Sequence, residues 1–154
     1  MKKLILVCTV CAIGLFFGTA TAQVHLRVNI ATQPIWGPVG HDYVENYYLP
    51  DIDAYYNVPG HKYYYMENNR WRSGANLPTR YRGTDLYNTR KVVVNESSPW
   101  TNNNVNKTKY AKSNDPNNGQ SIRDSRDSKY FVNKNHPQYN TWRNSQRNKK
   151  QNQR

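Results

Sequence analysis

The sequence predicts a small all-β module, an antiparallel meander of about four or five short strands, followed by a long disordered C-terminal tail. Three observations carry this. Ten of the thirteen tyrosines lie between Tyr43 and Tyr87, clustered as Tyr47-Tyr48, Tyr55-Tyr56 and Tyr63-Tyr64-Tyr65. Tyrosine suits a half-buried pleated surface because its ring packs while its hydroxyl stays wet. Residues 24–30 alternate apolar and polar side chains throughout, which is the period of a strand. Residues 101–154 hold 9 apolar or aromatic side chains, against 32 in residues 23–100. So few cannot offset backbone ordering, which costs roughly 1 to 2 kcal/mol per residue.

The chain opens on an address. Met1, Lys2 and Lys3 make a basic start, and residues 4–17 form an apolar run of 14, shorter than a helix needs to cross about 30 Å of hydrocarbon. Ala20 and Ala22 supply small residues at the -3 and -1 positions of a signal-peptidase site. Residues 1–22 therefore read as a secretory signal peptide cleaved before Gln23, and the protein as exported, periplasmic or extracellular. Cys8 and Cys11, the only cysteines, both lie inside that signal, preceded by Val7 and Val10 rather than by the small residue a lipid-acceptor cysteine requires. The mature chain then has no thiol, which excludes disulfides, thiolate zinc sites and cysteine nucleophiles.

Residues 23–100 read as the Tyr-rich module. After the first strand, Pro34, Gly37, Pro38 and Gly40 break the chain. A second strand is expected over residues 52–58 and a third over 62–67, joined by the three-residue loop Pro59-Gly60-His61. A two-residue Pro-Gly loop would favour a type II turn, whose twist fits a tight hairpin poorly. This register sets Tyr56 opposite Tyr64 and Ala54 opposite Met66, collecting Ile52, Ala54, Tyr56, Val58, Tyr64 and Met66 on one face. Asn68-Asn69 tolerates a type I′ turn, returning residues 70–73 with Trp71 opposite Met66. The other face then carries Tyr55, Tyr63 and Tyr65 with Arg70 and Arg72. That face is packing surface first and a candidate aromatic binding face second, with arginine lying over tyrosine rings. Gly74 and Pro78 end the meander, residues 84–87 suit one helical turn, and residues 90–95 read as a last strand through Val92, Val93 and Val94. About 70 residues without a disulfide make a marginal domain, which favours a partner or self-association.

The run Tyr47-Tyr48-Leu49-Pro50-Asp51-Ile52-Asp53-Ala54-Tyr55-Tyr56-Asn57-Val58, followed by Lys62-Tyr63-Tyr64-Tyr65, Arg70-Trp71 and Leu77-Pro78, resembles a family of uncharacterised secreted Tyr-rich proteins of Gram-negative bacteria. Those show a YYxPDxxxYYx…YxY…W…LPxxY pattern after a signal peptide. Gln33-Pro34-Ile35-Trp36-Gly37-Pro38 and Asp85-Leu86-Tyr87-Asn88 are also similar to members of that group, and the resemblance spans residues 24–96. It implies a bacterial envelope address and a compact module, and it carries over no catalytic residue.

The net charge of +12 falls to +10 once Lys2 and Lys3 leave with the signal, and it is unevenly spread: +1 over residues 23–100 and +9 over 101–154. The candidate polyanion-binding residues are therefore the tail cations Lys107, Lys109, Lys112, Arg123, Arg126, Lys129, Lys134, Arg143, Arg147, Lys149 and Lys150. Tyr110, Tyr130, Phe131, Tyr139 and Trp142 lie among them, and such rings stack on bases or bury in a headgroup layer. The tail also has 13 Asn and 5 Gln, with Pro116, Gly119 and Pro137 interrupting any periodicity, a low-complexity composition. Asp115, Asn117, Asn118 and Gly119 do not make a calcium loop, since the glycine offset is wrong, Pro116 intervenes and no distal Glu follows.

Catalytic signatures are lacking. His25, His41, His61 and His136 have no spacing that sets two imidazoles on one metal. Asp51 and Asp53 would share one side of a strand but have no partner acid or nucleophile. No G-x-S-x-G elbow, phosphate-cradling glycine loop or H-E-x-x-H motif occurs. The sequons at Asn95 and Asn106 are the sort that an Asn-rich chain produces by chance. The expectation is a non-enzymatic secreted or periplasmic envelope protein, without cofactor or metal. Its cationic tail would bind anionic envelope polymers or lipids with no nucleic-acid specificity. The alternative is a carbohydrate- or peptide-binding module that uses the tyrosine-rich sheet face.

Overall fold

The computed structural model describes residues 28–111 and 119–153. Five antiparallel strands form one sheet: β1 (Asn46–Leu49), β2 (Ala54–Asn57), β3 (Lys62–Glu67), β4 (Arg70–Gly74) and β5 (Val92–Val94), in the order β4-β3-β2-β1-β5. Two helices follow, α1 (Asn103–Tyr110) and α2 (Tyr139–Gln151). The fold is thus mostly β with helices added, not purely all-β.

Strand β1 lies inside the sheet between β2 and β5, and all four of its residues are buried. Tyr47 faces Tyr56 across the ladder and Tyr48 faces Tyr55, so successive tyrosines enter two different cores. On one face Tyr47, Leu49, Tyr56 and Tyr63 pack with Trp36, Val44 and Val58; the Trp36 ring lies 5.3 Å from both Tyr47 and Tyr56. On the other, Tyr48, Tyr55, Val92 and Val94 pack under Trp100 and Tyr110. There Tyr48 stacks on Tyr55 at 4.7 Å and Tyr64 on Trp100 at 3.6 Å. Each such ring pair adds about 0.5 to 1.5 kcal/mol beyond the area it buries.

Burial on both faces explains a correction to the β2–β3 hairpin. The register pairs Tyr56 with Tyr63, Tyr55 with Tyr64 and Ala54 with Tyr65, so Tyr56 and Tyr64 lie on opposite faces and Ala54 does not meet Met66. A three-residue loop would gather the apolar residues on one side, a criterion that fails when both sides are covered. The loop has four residues instead. His61 N–H donates to the Val58 carbonyl at 3.3 Å, with Pro59 at the turn position that suits its fixed φ, and Gly60 N–H donates to Asn57 Oδ1 at 2.8 Å. The next turn is as expected: Asn68 and Asn69 have φ of 50° and 56°, and Trp71 lies opposite Met66.

The ordered tail is a second correction. Residues 101–111 and 119–153 are folded where described, because this segment borrows a core instead of building one. It inserts Ile122 and Tyr130 against Ile30, Ile35 and Val39. It also buries asparagines as hydrogen-bonding adaptors, so a low apolar count did not prevent ordering. Most of the strand expected over 24–30 lies outside the described residues. Its described end, from Val28, leads into a 3-10 turn at Ile30–Thr32. Among the described residues no helix is long and apolar enough to cross a membrane.

Candidate functional site

The two carboxylates singled out as a pair are both tied into the scaffold. Asp51 accepts from the Arg90 backbone N–H at 3.1 Å and lies 3.5 Å from its guanidinium. Asp53, at φ 49°, accepts from Tyr48 Oη at 3.1 Å, from Asn103 Nδ2 at 3.0 Å and from Lys107 Nζ at 3.1 Å. Asn103 also accepts from the buried Tyr55 hydroxyl at 2.7 Å, while Asn106 Nδ2 donates to Tyr55 Oη at 3.1 Å and to the Pro99 carbonyl at 2.9 Å. These bonds hold α1 on the sheet although its exposed surface is polar. Lys91 is buried, and its ammonium donates to the carbonyls of Tyr87 and Thr89; burial lowers its pKa.

The chain then returns to the N-terminal segment. Val39 N–H donates to the Gln120 carbonyl at 3.1 Å, Ile122 N–H to Gly37 at 2.8 Å and Arg123 N–H to Ile35 at 2.9 Å. Gly40 N–H donates to Tyr130 Oη at 2.7 Å. Asn133, 1% exposed, gives its amide protons to the carbonyls of Ile30 at 3.2 Å and Gln33 at 2.7 Å. His136 is buried, its Nε2 is 3.2 Å from the Ser125 carbonyl, and its Nδ1 accepts from Gln138 N–H at 3.0 Å. The ring proton therefore belongs on Nε2. Asn133 and His136 together fix where α2 begins.

Helix α2, unlike α1, has no buried residue. It packs chiefly on the 3-10 segment Ser128–Val132. Phe131 and Trp142, with Lys149, line a groove of about 360 Å³. At 100° per residue, Arg143, Arg147 and Lys150 fall on one stripe with Tyr139, and the Arg143 guanidinium lies 5.8 Å from the Tyr139 ring. From residue 128 to 154 the sequence has seven cations and no acid. Among the described residues none of Arg143, Arg147, Lys149 and Lys150 is ion-paired.

The other tail cations divide. Lys107 pairs with Asp53 at 3.1 Å, Arg123 with Asp124 at 3.0 Å and Lys129 with Asp42 at 2.9 Å. Hydrogen bonding to the acid raises the pKa of Arg123 and of Lys129. Lys109 lies 5.0 Å from the ring of Tyr110, Arg126 and Lys134 are exposed, and Lys112 lies outside the described residues. The expected aromatic face is not assembled as such. Tyr63, Tyr65, Arg70 and Arg72 share one side, but the register carries Tyr55 to the other, where it is fully buried. Tyr63 is core too, and the guanidinium beside Tyr65 is that of Arg80, at 5.9 Å.

A second concavity, a cleft of about 730 Å³, opens beside the N-terminal turn, with Trp36, Tyr56, His61 and Lys134 on its walls. Sequence reasoning met His61 only as a lone imidazole and Lys134 only as a tail charge. No local signal places them together, since they are joined by the return of the C-terminal segment. Searches of family models, characterised proteins and solved structures found no match to this chain.

Proposed function

We propose that this is an exported, non-enzymatic envelope protein in which a sheet-based scaffold presents α2 to anionic envelope polymers or lipid phosphates. The carrying observation is the cationic stripe of Arg143, Arg147 and Lys150, with Lys149 beside Trp142, on a helix that buries none of its own residues and has no acid nearby in the sequence. Clustered cations attract polyanions through charge and counterion release, and adjacent aromatic rings add stacking or headgroup burial. The Asp51 and Asp53 contacts support a non-enzymatic role, because both candidate acids are committed to structural partners. The apolar run at residues 4–17 and Ala20 and Ala22 support export, which an intact mass beginning at Gln23 would test. Pairing of copies through the edge of β4 is disfavoured by the exposed Arg70 and Arg72 there,.

The test is a salt titration of the mature protein against a fluorescent single-stranded oligonucleotide, used as a generic polyphosphate. Four helix cations on phosphates give a slope of log K against log salt of about -3. A variant with Arg143, Arg147, Lys149 and Lys150 all changed to Gln is expected to lose most of that slope. Equal binding by the variant, or binding indifferent to salt, would overturn the proposal.

A further inference from the structure

We propose that the cleft beside the N-terminal turn binds the sugar acid of an acidic polysaccharide, one carboxylated hexose unit at a time, with Lys134 and His61 holding the carboxylate. The site is independent of α2. Its walls come from residues 31–36, from β2 with its loop, and from residues 132–135, so it exists only because the C-terminal segment packs on the module. The floor is aromatic and apolar: Trp36 and Tyr56 are each 9% exposed, and Ile35 and Val132 flank them. The exposed rim is polar, with Lys134, His61 and Asn135, and among the described residues no carboxylate lines the cleft. An apolar floor meets the C–H face of a sugar ring, an amide meets its hydroxyls, and a cationic rim without acids selects an anion. The volume falls within the usual range of about 300 to 1,000 Å³ for small-ligand sites.

An independent feature points to the same place. His61 has φ of 49°, a left-handed conformation that glycine adopts at no steric cost and other residues adopt with strain. Glycine is the residue immediately before it, yet histidine occupies the left-handed position. A Cβ at Gly60 would come within 2.7 Å of Asn57 Oδ1, the atom that accepts from the Gly60 N–H. Tyr56 Oη lies 3.4 Å from His61 Nδ1, which turns the imidazole so that Nε2 is its remaining polar atom. Strain retained at a cleft wall and braced from a buried tyrosine is the pattern of a positioned ligand group.

Calorimetry of the full mature protein with a galacturonate trisaccharide, and with the neutral galactose trisaccharide, tests this. The acidic sugar is expected to bind at least ten-fold more tightly than the neutral one. Measured in the four-glutamine α2 background, which removes the other anion-binding surface, Lys134→Gln is expected to weaken it five-fold or more while Lys134→Arg retains it within about two-fold. His61→Gly separates ligation from structure: it relieves the left-handed strain, so the denaturation midpoint should hold or rise while affinity falls at least five-fold. Equal affinity for the two sugars, no detectable binding, or full affinity in Lys134→Gln would overturn the proposal, whereas the α2 reading is decided by the salt slope of the polyphosphate titration.

Discussion

Removing one buried hydroxyl tests whether residues 99–110 belong to the folded unit. In Tyr55→Phe the ring remains, keeping its stack on Tyr48 at 4.7 Å and its edge contacts with Trp71 and Trp100, so the apolar contribution is unchanged. The hydroxyl donates to Asn103 Oδ1 at 2.7 Å and accepts from Asn106 Nδ2 at 3.1 Å. Each bond contributes about 1 kcal/mol net, and a buried polar atom left without a partner costs about 1 to 3 kcal/mol. Asn106 Nδ2 keeps the Pro99 carbonyl, whereas Asn103 Oδ1 loses its donor inside the network. The expected destabilisation is therefore about 2 to 3 kcal/mol, a large part of the roughly 5 to 15 kcal/mol that holds a domain folded.

Urea unfolding followed by tryptophan emission should show this as a midpoint lowered by about 1 to 2 M, given slopes of about 1 to 3 kcal/mol/M. Tyr64→Phe is the matched control. Its ring stacks on Trp100 but its hydroxyl makes no hydrogen bond among the described residues, so its cost should stay within about 0.5 kcal/mol. A double-mutant cycle of Tyr55→Phe with Asn103→Ala should give a coupling of about 1 kcal/mol or more. If Tyr55→Phe costs less than about 0.5 kcal/mol, or the cycle shows no coupling, α1 does not dock on the sheet and the segment behaves as a free tail.

Two further outcomes follow from the core. Burial is the leading cause that raises the pKa of Tyr47, Tyr48 and Tyr56 and pushes Tyr55 and Tyr63 up to about 12. A phenol whose folded pKa lies above its unfolded value of about 10 contributes stability that is complete below pH ~10 and is lost as pH rises through the folded value. Tyrosinate absorbance should therefore rise in two stages, the second coinciding with loss of near-ultraviolet dichroism at about pH 12,; full ionisation with dichroism intact would refute the burial. Gly37→Ala would bring a Cβ within 2.7 Å of Tyr47 Oη and 3.0 Å of the Pro34 carbonyl, an overpacking cost of about 1 to 3 kcal/mol. Gly83→Ala meets nothing within 4 Å and should be neutral or slightly stabilising by denaturant midpoint.

What could be read from the chain alone was what is locally encoded. Strand β3 and the Asn68-Asn69 turn were legible because the β propensity of a tyrosine run between turn residues and the left-handed tolerance of asparagine need no knowledge of distant residues,. Strand β1 was not, since Asn46-Tyr47-Tyr48-Leu49 has no polar alternation when both of its faces are covered. The hairpin register failed for the same reason. The tail's charge was legible and its order was not, because Tyr130 and Asn133 fold against partners about ninety to a hundred residues away. The α2 cations stand out from charge alone, whereas the cleft depends on that same long-range return and left no mark in the sequence.

The distribution of the tail cations supports the proposal that α2 meets an anionic partner outside the chain. Asp42, Asp53 and Asp124 are occupied by Lys129, Lys107 and Arg123. Exposed pairs of this kind are worth about 0 to 1 kcal/mol each, so they place segments more than they stabilise them. Among the described residues, helix α2 receives no such counter-charge. Arg143 and Arg147 stand four residues apart on one stripe, where like charges cost about 0.2 to 0.5 kcal/mol, and a helix of this length is marginal in water without tertiary packing. Lys149 and Lys150 recover part of this by lying at the negative end of the helix dipole. A sequence shaped for stability alone would place an acid one turn before each cation. Instead Tyr139, Arg143, Ser145 and Gln146 stand four residues before Arg143, Arg147, Lys149 and Lys150, respectively. Anion binding would remove the repulsion that the fold leaves uncompensated, so the same residues that weaken the isolated helix would tighten the bound one.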